Sequence, residues 1–430
     1  MLKPLAIAST LALTLIAYSQ DRTLTLAEAI ELARQRNGTV RAAFFDFEAA
    51  RSRRREVFAA FLPTVTPSFR YEATHNQIFT GANRGRTDDS DSLSQVTANW
   101  RILDSGERDW AHQAARRSEE AAAASARQVL RNILFTVHQQ FYNALRNQEL
   151  LRVSSAQVER AQRIMEQTQA QIDVGAAAKK DILQVRADFL NAQVDRLTAE
   201  NATAIAEADL KATIGLDTIA KLDKLVPPVE PTTFEEPPPL EQVVVEGLAN
   251  RPDLIALRKR VEAQKYSVRT AKRQTGFTWT LDTSYNRTFS PGVTEFGAAT
   301  FLVSYPLFDG GRLKEAAKQE LLALRAQEAE LIQFERDARA EIESAHALLR
   351  QDIQRVNAAK AAVEAARLNY QAALESQRLG AEGTDIITVL TAQVSLVTAE
   401  SNYVEALYDY FISDVRLRLV TGRPIPGESA

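Results

Sequence analysis

The chain has 430 residues, 45% hydrophobic and 25% charged, with a formal net charge of −3 and no cysteine. Scattered basic residues in a near-neutral chain exclude the electrostatic footprint of a nucleic-acid binder. The lack of cysteine excludes disulfides, thiolate metal sites and an acylated N-terminal cysteine.

Lys3, the apolar run Leu5 to Ala17 and the small-x-small site Ala17-Tyr-Ser19 make residues 1–19 a secretory signal. No later stretch has the roughly 18 apolar residues of a spanning helix. From Leu26 to Phe61, residues such as Leu26, Ile30, Ala33, Val40 and Phe44 recur at helical spacing, and Pro63 and Pro67 end the run, which predicts one helix. The period then becomes two. Val65, Pro67, Phe69, Tyr71 and Ala73 alternate with polar residues, a polar loop is expected from about Asn76 to Ser92, and alternation resumes through Val96, Ala98, Trp100 and Ile102. The hairpin therefore spans about 64–103. Glu107 to Val174 contains neither Gly nor Pro, enough for a helix of roughly 100 Å. Gly175 breaks it, and Asp181 starts a helix half as long that ends near Gly215. The Pro-rich stretch Val226 to Pro239 is expected to run extended.

The same series then recurs: a helix from Leu240 to Thr275, a hairpin over about 277–307, a Gly- and Pro-free run from Arg312 to Leu379, a break at Gly380, and a last helix from Ile386 to Thr421. Trp100-Arg-Ile-Leu-Asp-Ser-Gly106 returns as Tyr305-Pro-Leu-Phe-Asp-Gly-Gly311, an offset of 205, and Ala192 to Glu200 returns as Ala392 to Glu400, an offset of 200. The chain is a duplicated unit. Residues 20–222 form the first repeat, 223–239 a linker, 240–421 the second repeat and 422–430 a C-terminal tail. Two short helices laid end to end match one long helix, which describes a rod with hairpin strands at one end, helical turns at the other and a non-helical belt at mid-length. The class is mainly α with a β part.

Strands of about 10 residues rich in aromatics suit a membrane barrel, and equally a soluble hairpin on a core. Tyr71, Trp100, Trp279, Tyr285 and Tyr305 are candidates for aromatics at a bilayer interface. Four strands cannot close a barrel, so a membrane role requires oligomers.

Leu24-Thr-Leu-Ala-Glu-Ala-Ile-Glu-Leu-Ala33, Phe61-Leu-Pro63, Tyr305 to Gly311, Val174 to Ala187 and Gly383 to Ser401 occur in order around these helix lengths. In this the chain resembles the TolC-like outer membrane efflux family over essentially all of its mature length. The resemblance implies a homotrimer with a twelve-stranded outer-membrane β-barrel and a twelve-helix periplasmic tunnel. It implies an exit duct for efflux or type I secretion, opened when a periplasmic adaptor and an inner-membrane pump dock. It assigns the periplasmic tip and adaptor docking to Gly175, Lys179, Lys180, Asp181, Gly380, Gly383, Thr384 and Asp385. It places the lumen constriction at Thr388 and Thr391, where TolC has aspartates, and leaves open whether Asp385, one turn away, replaces them. The alternative from a different class is a non-conducting coiled-coil protein spanning the periplasm.

No enzyme motif, cofactor loop or metal cluster is expected. Glu343-x-x-His346 has the spacing of half a di-iron site, but its only counterpart, Glu72-x-x-His75, lies on a predicted strand, so the pair reads as solvated helix surface. Asp88-Asp-Ser-Asp91 reads as an external loop.

Overall fold

A computed structural model of the chain describes residues 23–80, 83–174, 178–217, 219, 222, 224–231, 233–289, 292–378 and 386–428, with side chains described outside 76–89. The proposed signal lies outside the described residues.

Each repeat begins with two helices rather than one. In the first, α1 (Leu26–Arg36) and α2 (Gly38–Ala59) meet at Asn37; in the second, α5 (Leu240–Asn250) and α6 (Pro252–Arg273) meet at Arg251. The single helices expected from periodicity are thus broken, for two local reasons. Asn37 is extended (φ −66°, ψ 122°), and its side chain accepts from the amides of Thr39 and Val40, as an N-cap does. Arg251 is equally extended (φ −61°, ψ 121°) because Pro252 follows it, and proline disfavours helical backbone in its predecessor.

The long helices α3 (Glu107–Asp173) and α7 (Arg312–Arg378) have 67 residues each, roughly 100 Å. The helix α4 (Asp181–Ile214) covers the lower half of α3, and α8 (Ile386–Thr421) covers α7; α2 and α6 pack along the upper half of α3. The junctions repeat too. Gly215 (φ 72°) closes against the backbone of Arg36, and Gly422 (φ 72°) against that of Asn250, approaches that leave no room for a Cβ. Asn37 Nδ2 also donates to the Thr213 carbonyl at 3.0 Å.

The largest core sits at this mid-length belt. Leu134, Val137, Phe141 and Leu145 project from one face of α3 onto Ile30, Leu210, Ile214, Tyr408 and Val415. A parallel pair of β1 (Thr23–Leu24) with β4 (Lys224–Leu225) ties the segment before α1 to the belt. The linker beyond β4 is strapped across α7 and α8. Glu230 accepts from Lys360 Nζ and Tyr403 Oη, both at 2.7 Å, and His346 Nε2 donates to the Pro238 carbonyl at 2.9 Å. His346 is buried, so the reading of Glu343 and His346 as solvated surface is corrected for the histidine: its ring pins the linker. The tail is also docked. Arg131 is buried, ion-pairs with Glu428 at 2.9 Å and donates to the carbonyls of Arg418, Gly422 and Arg423.

One four-stranded antiparallel sheet crowns the helices, ordered β2 (Thr64–Thr80), β3 (Asn83–Leu103), β5 (Thr278–Thr288), β6 (Thr294–Ser304). The expected loop from Asn76 to Ser92 is instead ladder, paired out to Thr80 with Asn83. Backbone pairing across the hairpin satisfies both strands there, and the mostly polar sequence 76–92, where Ile78 and Phe79 are adjacent and do not alternate, carried no period-two signal.

Candidate functional site

The sheet is anchored by a device built twice. Asp104 Oδ1 accepts from the Gly106 amide at 3.2 Å and Oδ2 from the Arg108 amide at 3.2 Å; Asp309 repeats this with Gly311 at 2.9 Å and Leu313 at 2.8 Å. Each aspartate thus caps a 100-Å helix where a strand enters it. The two amides and the positive end of α7 hold the Asp309 carboxyl below the usual carboxylate range. In the first copy Arg108 adds a buried ion pair to Asp104 and lies 4.9 Å above the Phe61 ring. The recurring Asp-x-Gly therefore turns strand into helix.

Pairing register sorts the strand residues. Phe69, Trp100, Trp279 and Phe301 fall on one face with Val65, Val96, Ala98, Leu281, Tyr285 and Val303. Arg70, Asn99, Thr280 and Thr300 fall on the other with Thr66, Gln95, Thr97, Asp282 and Ser284, and Asn99 Nδ2 donates to Asp282 across the strands. Leu93, Phe296 and Leu302 are apolar exceptions on the polar face. The apolar face is open: Phe69 is 68% exposed and Phe301 55%.

The interface candidates are not all level. Trp100 and Trp279 sit at the foot of the sheet, where Trp100 Nε1 donates to the Phe61 carbonyl at 3.0 Å and the rings of Tyr305 and Phe277 lie 4.6 Å apart. Tyr71 pairs with Ser92, eight residues along β3 from Trp100, roughly 27 Å along the strand and close to the ~25 Å of a barrel's apolar band. Tyr285, opposite Val96, lies midway between those two levels.

At the far end, α3 stops at Asp173 and α4 starts at Asp181 after exposed Lys179 and Lys180, with the Asp181 amide donating to the Ala178 carbonyl at 3.0 Å. Gly175, Gly380, Gly383, Thr384 and Asp385 lie outside the described residues. Ile164 and Val185 pack against Ala373, Ile386 and Val389, joining the two helical hairpins just above these turns. Thr388 and Thr391 share an exposed face of α8, and Thr391 Oγ1 donates back to the Ile387 carbonyl at 2.8 Å. Among the described residues no cluster of three or more His, Asp or Glu side chains is arranged to hold a metal.

What the sequence reading missed are buried charges and a buried histidine. His138 is fully buried, its Nδ1 donates to the Leu134 carbonyl at 2.8 Å, and burial pushes its pKa down. Arg251 is buried between Asp253 and Glu341. For His138, its position inside an apolar helix face was the available signal.

A rod of helices ending in a two-faced, uncovered sheet defines the protomer of an outer-membrane channel with a periplasmic helical duct. The chain belongs to the outer membrane efflux protein family, whose pattern it matches over residues 29–216 and again over 243–423, once per repeat. It is similar to CyaE of Bordetella pertussis, 26% identical over 333 residues covering 76% of this chain and 69% of that protein. To TolC of Vibrio cholerae it is 25% identical over 335 residues, 73% of this chain and 72% of that one. Its fold matches the outer-membrane channel OprN with a TM-score of 0.80 at 19% identity, over 93% of this chain and 90% of OprN. The protein is accordingly an outer-membrane channel of the efflux and secretion type, in a family of homotrimers that work with adaptor and pump partners.

Proposed function

We propose that three copies of this chain form a passive exit duct, and that an inner-membrane pump supplies the energy through a periplasmic adaptor. The observation that carries this is the pair of unsatisfied edges. The sheet runs from β2 to β6 with both outer strands unpaired, and the upper helices run α2, α3, α6, α7 in the same sense. Open sheet edges are not tolerated in lipid. A neighbour that pairs its β6 with β2 also lays its α7 beside α2, whose Phe44, Phe45 and Phe58 are more than half exposed. Three such steps close twelve strands, enough to leave a lumen. The apolar face then meets lipid and the polar face, with Arg70, Asn99, Thr280 and Thr300, lines the channel.

The tip residues Gly175, Lys179, Lys180, Asp181, Gly380, Gly383, Thr384 and Asp385 are assigned to adaptor docking, being the periplasmic end of the rod, and Thr388 and Thr391 to the constriction above it. The test is reconstitution: detergent-solubilised protein should be a trimer of mature chains and should carry current across a planar bilayer. A stable monomer in membranes, or trimers that insert without conducting, would defeat the proposal, the latter in favour of a non-conducting spacer.

A further inference from the structure

The four helices beneath the sheet form one layer with two unlike faces. One face holds a groove of mostly small side chains, lined by Arg53 and Val57 of α2, Ala114 of α3, Ala271 and Gln274 of α6 and Ala316 of α7. It lies on the side of the sheet's polar face. Glu107, at the top of α3, accepts from Gln274 of the groove at 3.2 Å and from Arg101 of the polar strand face at 3.4 Å. The opposite face of the helices is therefore continuous with the apolar face of the sheet.

That opposite face is cationic. Arg55 stands two residues from Arg53 and from Val57, Arg269 two from Ala271, Lys272 two from Gln274 and Lys314 two from Ala316. Two residues turn a helix by about 200°, so each of the four points away from the groove. All four are exposed. Among the described residues Arg55, Lys272 and Lys314 have no ion pair, whereas the nearby Arg51, Arg53 and Arg54 are taken up by Glu48, Glu56 and Glu119. Arg269 lies 4.8 Å above the ring of Trp110, which stacks on Tyr266 at 5.7 Å. Exposed Asp109, two residues before the groove residue Ala111, is an acid on the same face and offsets one of the four charges. Each cation is within four residues of the helix end that meets the sheet, about 6 Å along the axis. The polar layer of a bilayer extends about 5–7 Å beyond the hydrocarbon on each side, and long basic side chains reach toward it.

We propose that this face is a collar that binds the anionic headgroups of phospholipids in the leaflet nearest the helices. Guanidinium and ammonium donors match phosphate oxygens, and the Trp110–Tyr266 stack supplies amphipathic rings that favour the same depth. The proposal rests on the channel reading, because the apolar face must meet lipid for the collar to lie at the headgroups. It gives the channel a preference for anionic over zwitterionic lipid at its lower rim, and that preference weakens with salt.

The experiment reconstitutes the full-length protein in phosphatidylcholine vesicles holding a trace of spin-labelled phosphatidylglycerol or of spin-labelled phosphatidylcholine. The fraction of each label immobilised at the protein is compared, and trimer content is measured on the same vesicles. Phosphatidylglycerol should be preferred about fivefold at low salt, the gain from one basic contact with an anionic headgroup, and the preference should shrink in 1 M salt. Arg55→Gln/Arg269→Gln/Lys272→Gln/Lys314→Gln should remove most of it, whereas Arg53→Gln, on the groove face, should keep it. Should the quadruple variant insert poorly, the milder Lys272→Gln/Lys314→Gln, at two exposed positions, should still lower the preference. Trimers that insert but hold both lipids equally overturn the collar alone, as does an unchanged preference in the substituted proteins. Binding to isolated peptidoglycan that the quadruple variant loses, without any lipid preference, would assign the face to that polymer instead. Protein that does not insert at all overturns the lipid assignment of the apolar face, and the collar with it.

Discussion

Asp104 and Asp309 do the same work with different amounts at stake. Both cap a long helix through two backbone amides, but only Asp104 also neutralises a buried arginine. Asp309→Ala loses only that cap, at a partly exposed position, and should lower the midpoint little. Asp104→Ala additionally leaves Arg108 buried without its partner, a loss of about 3–5 kcal/mol. Thermal melts of the two solubilised variants by circular dichroism should separate in that order, and equal midpoints would show that Arg108 finds another acceptor. The residue scale also explains why Asp-x-Gly recurs: the aspartate must reach amides two and four positions on, and Gly106 and Gly311 hold φ of 86° and 88°.

At the scale of elements, the strand faces and the linker make separate claims. Val96 and Thr97 are neighbours on β3 but belong to opposite faces, opposite Tyr285 and Ser284. Val96→Lys, near the middle of the apolar band, should lower the folded, inserted yield by the equivalent of about 2–4 kcal/mol, and Thr97→Lys by far less. Equal tolerance, measured in detergent-refolding titrations, contradicts the lipid and lumen assignment. In the linker, the bond from Lys360 and then that from Tyr403 hold the Glu230 carboxyl below its ordinary value. A depressed folded-state pKa means that the contact contributes fully above the unfolded value of about 4.3 and fades as pH falls through the lower, folded value. Hydrogen exchange over 226–239 should therefore be slow at neutral pH and rise on acidification. Glu230→Gln should raise it already at neutral pH; unchanged exchange in that variant would show that His346 and the belt core hold the strap without Glu230.

For the whole molecule, the decisive division is between the end that inserts and the end that docks. On the proposal above, assembly rests on the strand edges and opening on the opposite ends of α3 and α7, some 100 Å away. Gly175→Val and Gly380→Val should then leave membrane trimers intact and abolish efflux or secretion, read by trimer content of outer membranes against transport in cells lacking the native gene product. Loss of trimers in these variants would mean that the turns are needed for assembly and not only for docking.

The chain by itself determined a good deal of this. Period-two alternation set the strand faces, because a side chain's face depends only on its position along a strand. The absence of Gly and Pro set the length of α3 and α7, and the internal offsets disclosed the duplication before any contact was known. Tertiary structure decided what periodicity does not encode. The breaks at Asn37 and Arg251 come from one cap and one proline inside continuous apolar patterns. The β2–β3 ladder beyond Ala73 follows a mostly polar sequence without alternation, so only backbone pairing reveals it. His346 looked like surface until the linker was seen lying on it.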